Sequence, residues 1–311
     1  MITDKNNNKI SPSKAPLANM QPVLFSVLSL FVVFITYQVF GGMISLFIYG
    51  EDLRSLNTDV NVARVVISFS QFMFILVPVL ILNMLRGDSP KAAFRLRKPD
   101  TTVFLLGIAG VIIVQPALQS YMYLQNLALD ALPQGIEIIK QIKDLMDSLE
   151  AATMNLVTAY SAAEFVTVSF VIAVTPAICE EFFFRGLIFY NFEKQMFSVR
   201  AVFMTGFIFA IYHFHPFNLL PLIVLGYYLA FVVYYSNSIF TGIAAHFTFN
   251  FISAYMVYVY GKEGFENPDG TVMDNMPLLI AGIFSVFLFA VILIMIKRRG
   301  MKNIIKFEGN V

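Results

Sequence analysis

The chain has 311 residues, 21 Lys and Arg against 20 Asp and Glu, a net charge of +1 and a mean hydropathy of +0.73. Charged residues make up only 13% of it, about half the share in an ordinary soluble domain. With 58% hydrophobic residues there is too much apolar surface for one globular core, and there is no basic excess to neutralise phosphates. Soluble enzymes, disordered chains and nucleic-acid binders are excluded, and the single Cys excludes a disulfide framework or a Cys-based zinc site.

An integral membrane protein remains. Crossing the hydrocarbon layer takes about 20 apolar residues per helix. Runs of that kind fall at 22–49, 63–85, 102–125, 162–184, 201–221, 217–236, 239–260 and 277–296. The expected fold is therefore all-α and polytopic, with about eight transmembrane helices around an intramembrane polar cavity. His213, His215, Pro216 and Asn218 mark a tight turn between the fifth and sixth runs. Pro78 and Pro116 lie inside spans, where they bend a helix more readily than they end it.

The segments in chain order are a polar tail over 1–21, N-terminal helices over 22–160, a core over 161–260, a last span over 277–296 and a basic tail over 297–311. The first span reads as an uncleaved signal-anchor, being longer than a secretory apolar region. Basic residues alternate between faces. One set holds Lys5, Lys9, Lys14, Arg86, Lys91, Arg95, Arg97, Lys98, Arg185, Lys194, Arg200, Lys297, Arg298, Arg299, Lys302 and Lys306; the other holds only Arg54, Arg64, Lys140, Lys143 and Lys262. Eight spans place both termini in the cytoplasm and the chain in the inner (plasma) membrane. Between the third and fourth spans, Ile136, Ile139, Ile142, Leu145, Met146 and Leu149 form an apolar stripe at helical spacing among charged residues. This predicts an amphipathic helix near 136–149 on the outer face, serving the interface or completing the bundle.

Ionisable groups within spans are costly and are functional candidates for that reason. Three clusters stand out: Glu180-Glu181-x-x-x-Arg185, Phe209-x-x-x-His213 and His246-x-x-x-Asn250. Glu181 and Arg185 are one turn apart in the favourable order for an ion pair. Glu180 is rotated by about 100° from that pair, which leaves its carboxylate free. Counted from the cytoplasmic ends of their helices, Glu180, His213 and Asn250 all lie about 18 Å deep, with His246 one turn nearer the cytoplasm. His215 reads as a helix-end residue, Cys179 as an inert buried thiol, and Glu164 as part of the outer interface.

These three motifs, in order on separate apolar helices, resemble the CAAX protease and bacteriocin-processing family of intramembrane proteases, the Rce1-type prenyl endopeptidases. The resemblance covers about 160–260 and implies an endopeptidase with its site in a cavity inside the bilayer, acting on a peptide or protein substrate, lipidated or not. It implies Glu180 as the catalytic glutamate, His213 as a partner positioning the attacking water, and His246 with Asn250 as the oxyanion donors. Glu181, Arg185 and Phe209 complete the motifs as support. The short loops and plain anchors suggest a bacterial member.

The chemistry is reasonable: a desolvated carboxylate suits a general base that returns its proton to the leaving amine. The competing mechanism holds zinc on Glu180, His213 and His246 with one position open for water. No His-Glu-x-x-His helix is present and a zinc-bound Glu180 leaves no separate base, so water activation without an obligatory metal is favoured. A non-proteolytic membrane binding or immunity protein is the alternative. A transporter is the third, without the inverted repeats that would mark one.

Overall fold

The computed structural model describes residues 15–41, 43, 60–131, 137–261 and 271–308. Lys5, Lys9, Lys14, Arg54, Lys262, Ile136 and the end of the first expected span lie outside them. Among the described residues the chain is helical throughout. The helices are α1 (Pro22–Gly41), α2 (Val60–Arg86), α3 (Thr101–Asp130), α4 (Glu137–Val157), α5 (Ala162–Glu193), α6 (Ser198–Ile211), α7 (Leu219–Ser236), α8 (Ile239–Tyr260) and α9 (Met276–Glu308).

Seven of these are long and apolar enough to cross a membrane: α1, α2, α3, α5, α7, α8 and α9. The fifth expected run, 201–221, is divided. Its helix, α6, has 14 residues, about 21 Å, and stops at Ile211. The chain then turns through Phe214, whose φ of 52° lies in the left-handed region. Gln125 Nε2 of α3 donates to the Phe217 carbonyl at 2.9 Å, so the turn is tied down beside α3 before that helix ends. α6 and α7 therefore form a hairpin whose tip lies beside the last turns of α3.

Local chemistry starts and stops these helices. Asp100 accepts from the Val103 N–H at 3.1 Å and caps α3. Ser161 accepts from the Glu164 N–H at 3.2 Å while Glu164 reaches back to the Tyr160 N–H at 2.7 Å, a capping-box arrangement that opens α5. Gly87, at φ 78°, closes α2. Glu164 thus sits at the helix start, as its position in the sequence suggests.

Prolines inside three spans orphan backbone carbonyls, and those at Pro78 and Pro176 are answered from a neighbouring helix. Pro78 has no N–H for Phe74 O, which instead accepts from Thr36 Oγ1 at 2.9 Å. Pro176 leaves Ile172 O to Asn250 Nδ2 at 3.1 Å. Around Pro116, Ser285 Oγ donates to Ile113 O. In hydrocarbon no water can take these carbonyls, so the proline kinks also specify which helices pair.

One face of the bundle collects the basic groups. Arg95 pairs with Glu193, Lys194 with Asp88 at 2.7 Å, and Arg299 with Asp100 at 3.0 Å. Arg86 donates to Leu17 O at 2.7 Å, joining the turn before α1 to the end of α2. At the opposite face Arg64, almost fully buried, donates to Leu156 O at 3.0 Å and to Thr158 O, capping α4. The expected amphipathic helix thus runs over Glu137–Val157, with Ile138 and Leu145 exposed on it.

The core gathers around the later half of α5, where Phe183, Phe184, Leu187, Ile188 and Phe189 are all buried. α6 and α7 cross closely at Gly206 and Gly226. A Cβ on Gly206 would lie 2.5 Å from Tyr227 N, and one on Gly226 would lie 2.6 Å from Gly206 O. Gly206→Ala is therefore expected to push the hairpin open and cost about 1–3 kcal/mol of stability. Thermal unfolding in mild detergent checks this; an unchanged melting curve would contradict the close crossing.

Candidate active site

α5 carries two carboxylates with different surroundings. Around them its winding loosens into π-helical turns at Phe170–Val174 and Glu181–Ile188, separated by the short α-helical piece Thr175–Glu180. Such turns are frequent at functional sites.

Glu181 and Arg185 are fully buried and joined Oε1 to Nη1 at 2.7 Å. Arg185 also donates through Nη2 to Gly226 O at 3.0 Å, and its guanidinium lies 4.4 Å from the centre of the Phe209 ring. The same Glu181 Oε1 meets His246 Nδ1 at 3.0 Å, and His246 is only 3% exposed. A carboxylate held by an arginine acts as the acceptor here, so His246 donates from Nδ1. Gly242, one turn before His246, permits this approach, because a Cβ there would lie 2.5 Å from Glu181 Oε2. The sequence places Glu181 with Arg185 but carries no sign that His246 joins them; Gly242 is the one local feature compatible with it.

Glu180 faces elsewhere. Its Oε2 lies 3.9 Å from His213 Nε2, beyond hydrogen-bond length, and both side chains are partly accessible, at 19% and 32%. His213 is not within α6 but in the turn beyond it. Its Nδ1 bonds Phe209 O at 2.7 Å, taking one of the carbonyls left over at the helix end. Because a carbonyl only accepts, Nδ1 carries the proton and Nε2 turns a lone pair toward Glu180. The Phe209 ring packs on the His213 ring at 4.6 Å and near His246 at 6.0 Å, so Phe209 touches Arg185 and both histidines.

Asn250 sits one turn beyond His246 on α8, with Nδ2 on Ile172 O. Contacts at Glu181 and Ile172 therefore bracket the Glu180 level along α5. Tyr212 anchors the turn after α6 by donating to Leu30 O at 3.2 Å. His215 accepts from the Asn218 N–H at 3.2 Å, the turn role expected of it, and Cys179 is buried.

The zinc set does not assemble. Among the described residues no three His, Cys, Asp or Glu side chains are grouped to hold a metal ion. His246 and His213 each engage Nδ1, with Glu181 and the Phe209 carbonyl, which fixes their rings and leaves each Nε2 open. Of the three candidate ligands, Glu180 and His213 face one another at 3.9 Å.

No curated protein and no solved structure matches the chain. Residues 162–252 match the family model for type II CAAX prenyl endopeptidase Rce1-like proteins, and that stretch holds all seven motif residues. By this segment the chain is similar to the Rce1-like family, a likeness that points to CAAX-type intramembrane protease activity.

Proposed function

We propose that the protein is an intramembrane endopeptidase in which Glu180 and His213 activate water against a peptide bond. The observation that carries this is the pairing of an accessible carboxylate with an accessible imidazole beside a neighbouring pair that is sealed. Oε2 and Nε2 are both acceptors 3.9 Å apart, and Oε2 is buried without a hydrogen-bond partner, so a water admitted between them with substrate would donate a proton to each. A lone pair of its oxygen is then free to attack a substrate carbonyl. On attack Glu180 takes the proton and returns it to the leaving amine, the two-step duty of a general base and acid.

The oxyanion falls to His246 and Asn250. Glu181 fixes the plane of the His246 ring through Nδ1, so Nε2 is the atom left to meet substrate when the ring carries a second proton. Asn250 has one amide hydrogen on Ile172 O and a second to offer. The substrate is a peptide or membrane-associated protein, lipidated or not, approaching from the cytoplasmic side; the basic face is the cytoplasmic one by its charge.

Asn250 has a second supported use, as the partner of the carbonyl freed by Pro176, and the two uses differ in size. An interhelical hydrogen bond in a membrane contributes about 0.6 kcal/mol on average. Loss of an oxyanion donor costs about 10²–10³-fold in kcat. Asn250→Ala is expected to lower kcat about a hundredfold with little change in melting temperature. A rate within threefold of wild type would reduce Asn250 to a structural stitch.

The overall test is cleavage of a library of membrane-anchored peptides by the purified full chain, followed by mass spectrometry. Activity is expected to survive exhaustive chelation and to fall about a hundredfold or more in His213→Ala. Cleavage abolished by chelation and restored by zinc would overturn the water-activation reading in favour of a metal.

A further inference from the structure

A cavity lined largely by polar residues lies at the basic face, away from Glu180. Its volume is about 620 Å³, and it is lined by Ala92, Arg95, Arg97, Tyr190, Glu193, Lys194 and Asn237. These come from the loop between α2 and α3, the end of α5 and the turn between α7 and α8. Glu193 is thirteen residues beyond Glu180 on α5, about 20 Å along the helix, so the cavity is separate from the proposed catalytic pair.

We propose that this cavity binds the phosphate headgroup of an anionic lipid. The acids around it are already committed: Glu193 pairs with Arg95, and Asp88 holds Lys194 through both oxygens at 2.7 Å. Arg97 is exposed and has no ion-pair partner among the described residues, so its charge is the surplus one at the cavity. Arg95 is 9% exposed, stacks on Phe189 at 4.7 Å and keeps Nη1 without a hydrogen-bond partner. The planar guanidinium of Arg97 suits two phosphate oxygens at once.

Backbone geometry converges on the same place. Three non-glycine residues among those described have positive φ, and two of them, Arg95 at 45° and Asn237 at 50°, line this cavity. Left-handed conformations at non-glycine residues cost free energy and collect at sites that require them. Ser238 Oγ donating to Arg97 O at 2.6 Å and Ile239 N–H to Arg95 O at 3.3 Å lock the two turns together. The cavity therefore sits where the ends of α2, α3, α5, α7 and α8 leave the bilayer, the depth at which lipid phosphates lie. Its size suits a headgroup with its glycerol.

Native mass spectrometry of the full chain, purified in mild detergent and exposed to phosphatidylglycerol or phosphatidylcholine, tests this. Wild type is expected to retain phosphatidylglycerol preferentially. Arg97→Gln is expected to weaken that retention about fivefold. Asn237→Gly keeps the left-handed turn, deletes the amide and should weaken retention as well. Arg298→Gln removes an equal charge from the same face outside the cavity and should leave retention unchanged. Equal retention of the two lipids, or equal weakening by Arg298→Gln, overturns the proposal. Displacement by millimolar inorganic phosphate also overturns it, because the ligand is then soluble phosphate rather than lipid.

Discussion

Glu180→Gln is expected to lower kcat/KM for peptide cleavage by at least about a thousandfold, roughly 4 kcal/mol of barrier, with the fold intact. The size follows from the base. Gln has the shape of Glu but cannot take a proton from water, and His213 Nε2 alone must then do so without a carboxylate to return the proton to the amine. The fold should survive because Glu180 Oε2 accepts no hydrogen bond from the protein, so the substitution removes none from it. The nearby buried cation, Arg185, keeps Glu181 as its ion-pair partner when the Glu180 charge is lost. The measurement is a peptide-cleavage assay beside a thermal melt on the same preparation. A variant that folds and cuts within tenfold of wild type would remove Glu180 from the mechanism.

Glu181→Leu should show the opposite pattern, with stability failing first. Glu181 and Arg185 are fully buried, and their attraction does little more than offset the desolvation of both charges. Removing the acid leaves Arg185 with only Gly226 O and two phenyl faces, and His246 without its orienting acceptor. A buried charge abandoned in this way costs about 3–5 kcal/mol. The double variant Glu181→Leu/Arg185→Leu removes both charges and is expected to be more stable than Glu181→Leu alone. Its cleavage rate should stay low, because nothing then holds the His246 ring. Unfolding in detergent and cleavage rates separate the two effects; a single variant as stable as wild type would mean the pair is not sealed.

The contrast between adjacent glutamates was readable from spacing. One residue along a helix rotates the side chain by about 100°, and only Glu181 has a cation one turn away. The helical, polytopic character was equally readable, since apolar runs of spanning length have few alternatives in lipid. Pro78 could be recognised as a kink, but not the Thr36 hydroxyl that answers it, because the partner lies 38 residues away across an interhelical contact. The 201–221 run reads as a span by hydropathy, yet Phe214 and the Gln125 bond end α6 early and leave His213 in a turn.

By itself, then, the sequence determined the membrane class, the placement of the apolar runs, the basic residues that mark one face, and the three motifs with their separated glutamates. Each of these depends on hydropathy or on intrahelical spacing, which neighbouring residues set. The tertiary structure alone decided that His246 meets Glu181 rather than Glu180, that Asn250 reaches Ile172 O, and that Glu180 faces His213 across 3.9 Å. Those contacts depend on the relative rotation and shift of α5, α6 and α8. Gly206, Gly226 and Gly242 set how closely the helices approach, and the π-helical turns of α5 change its phase, so the register between helices is a property of packing and not of any one segment.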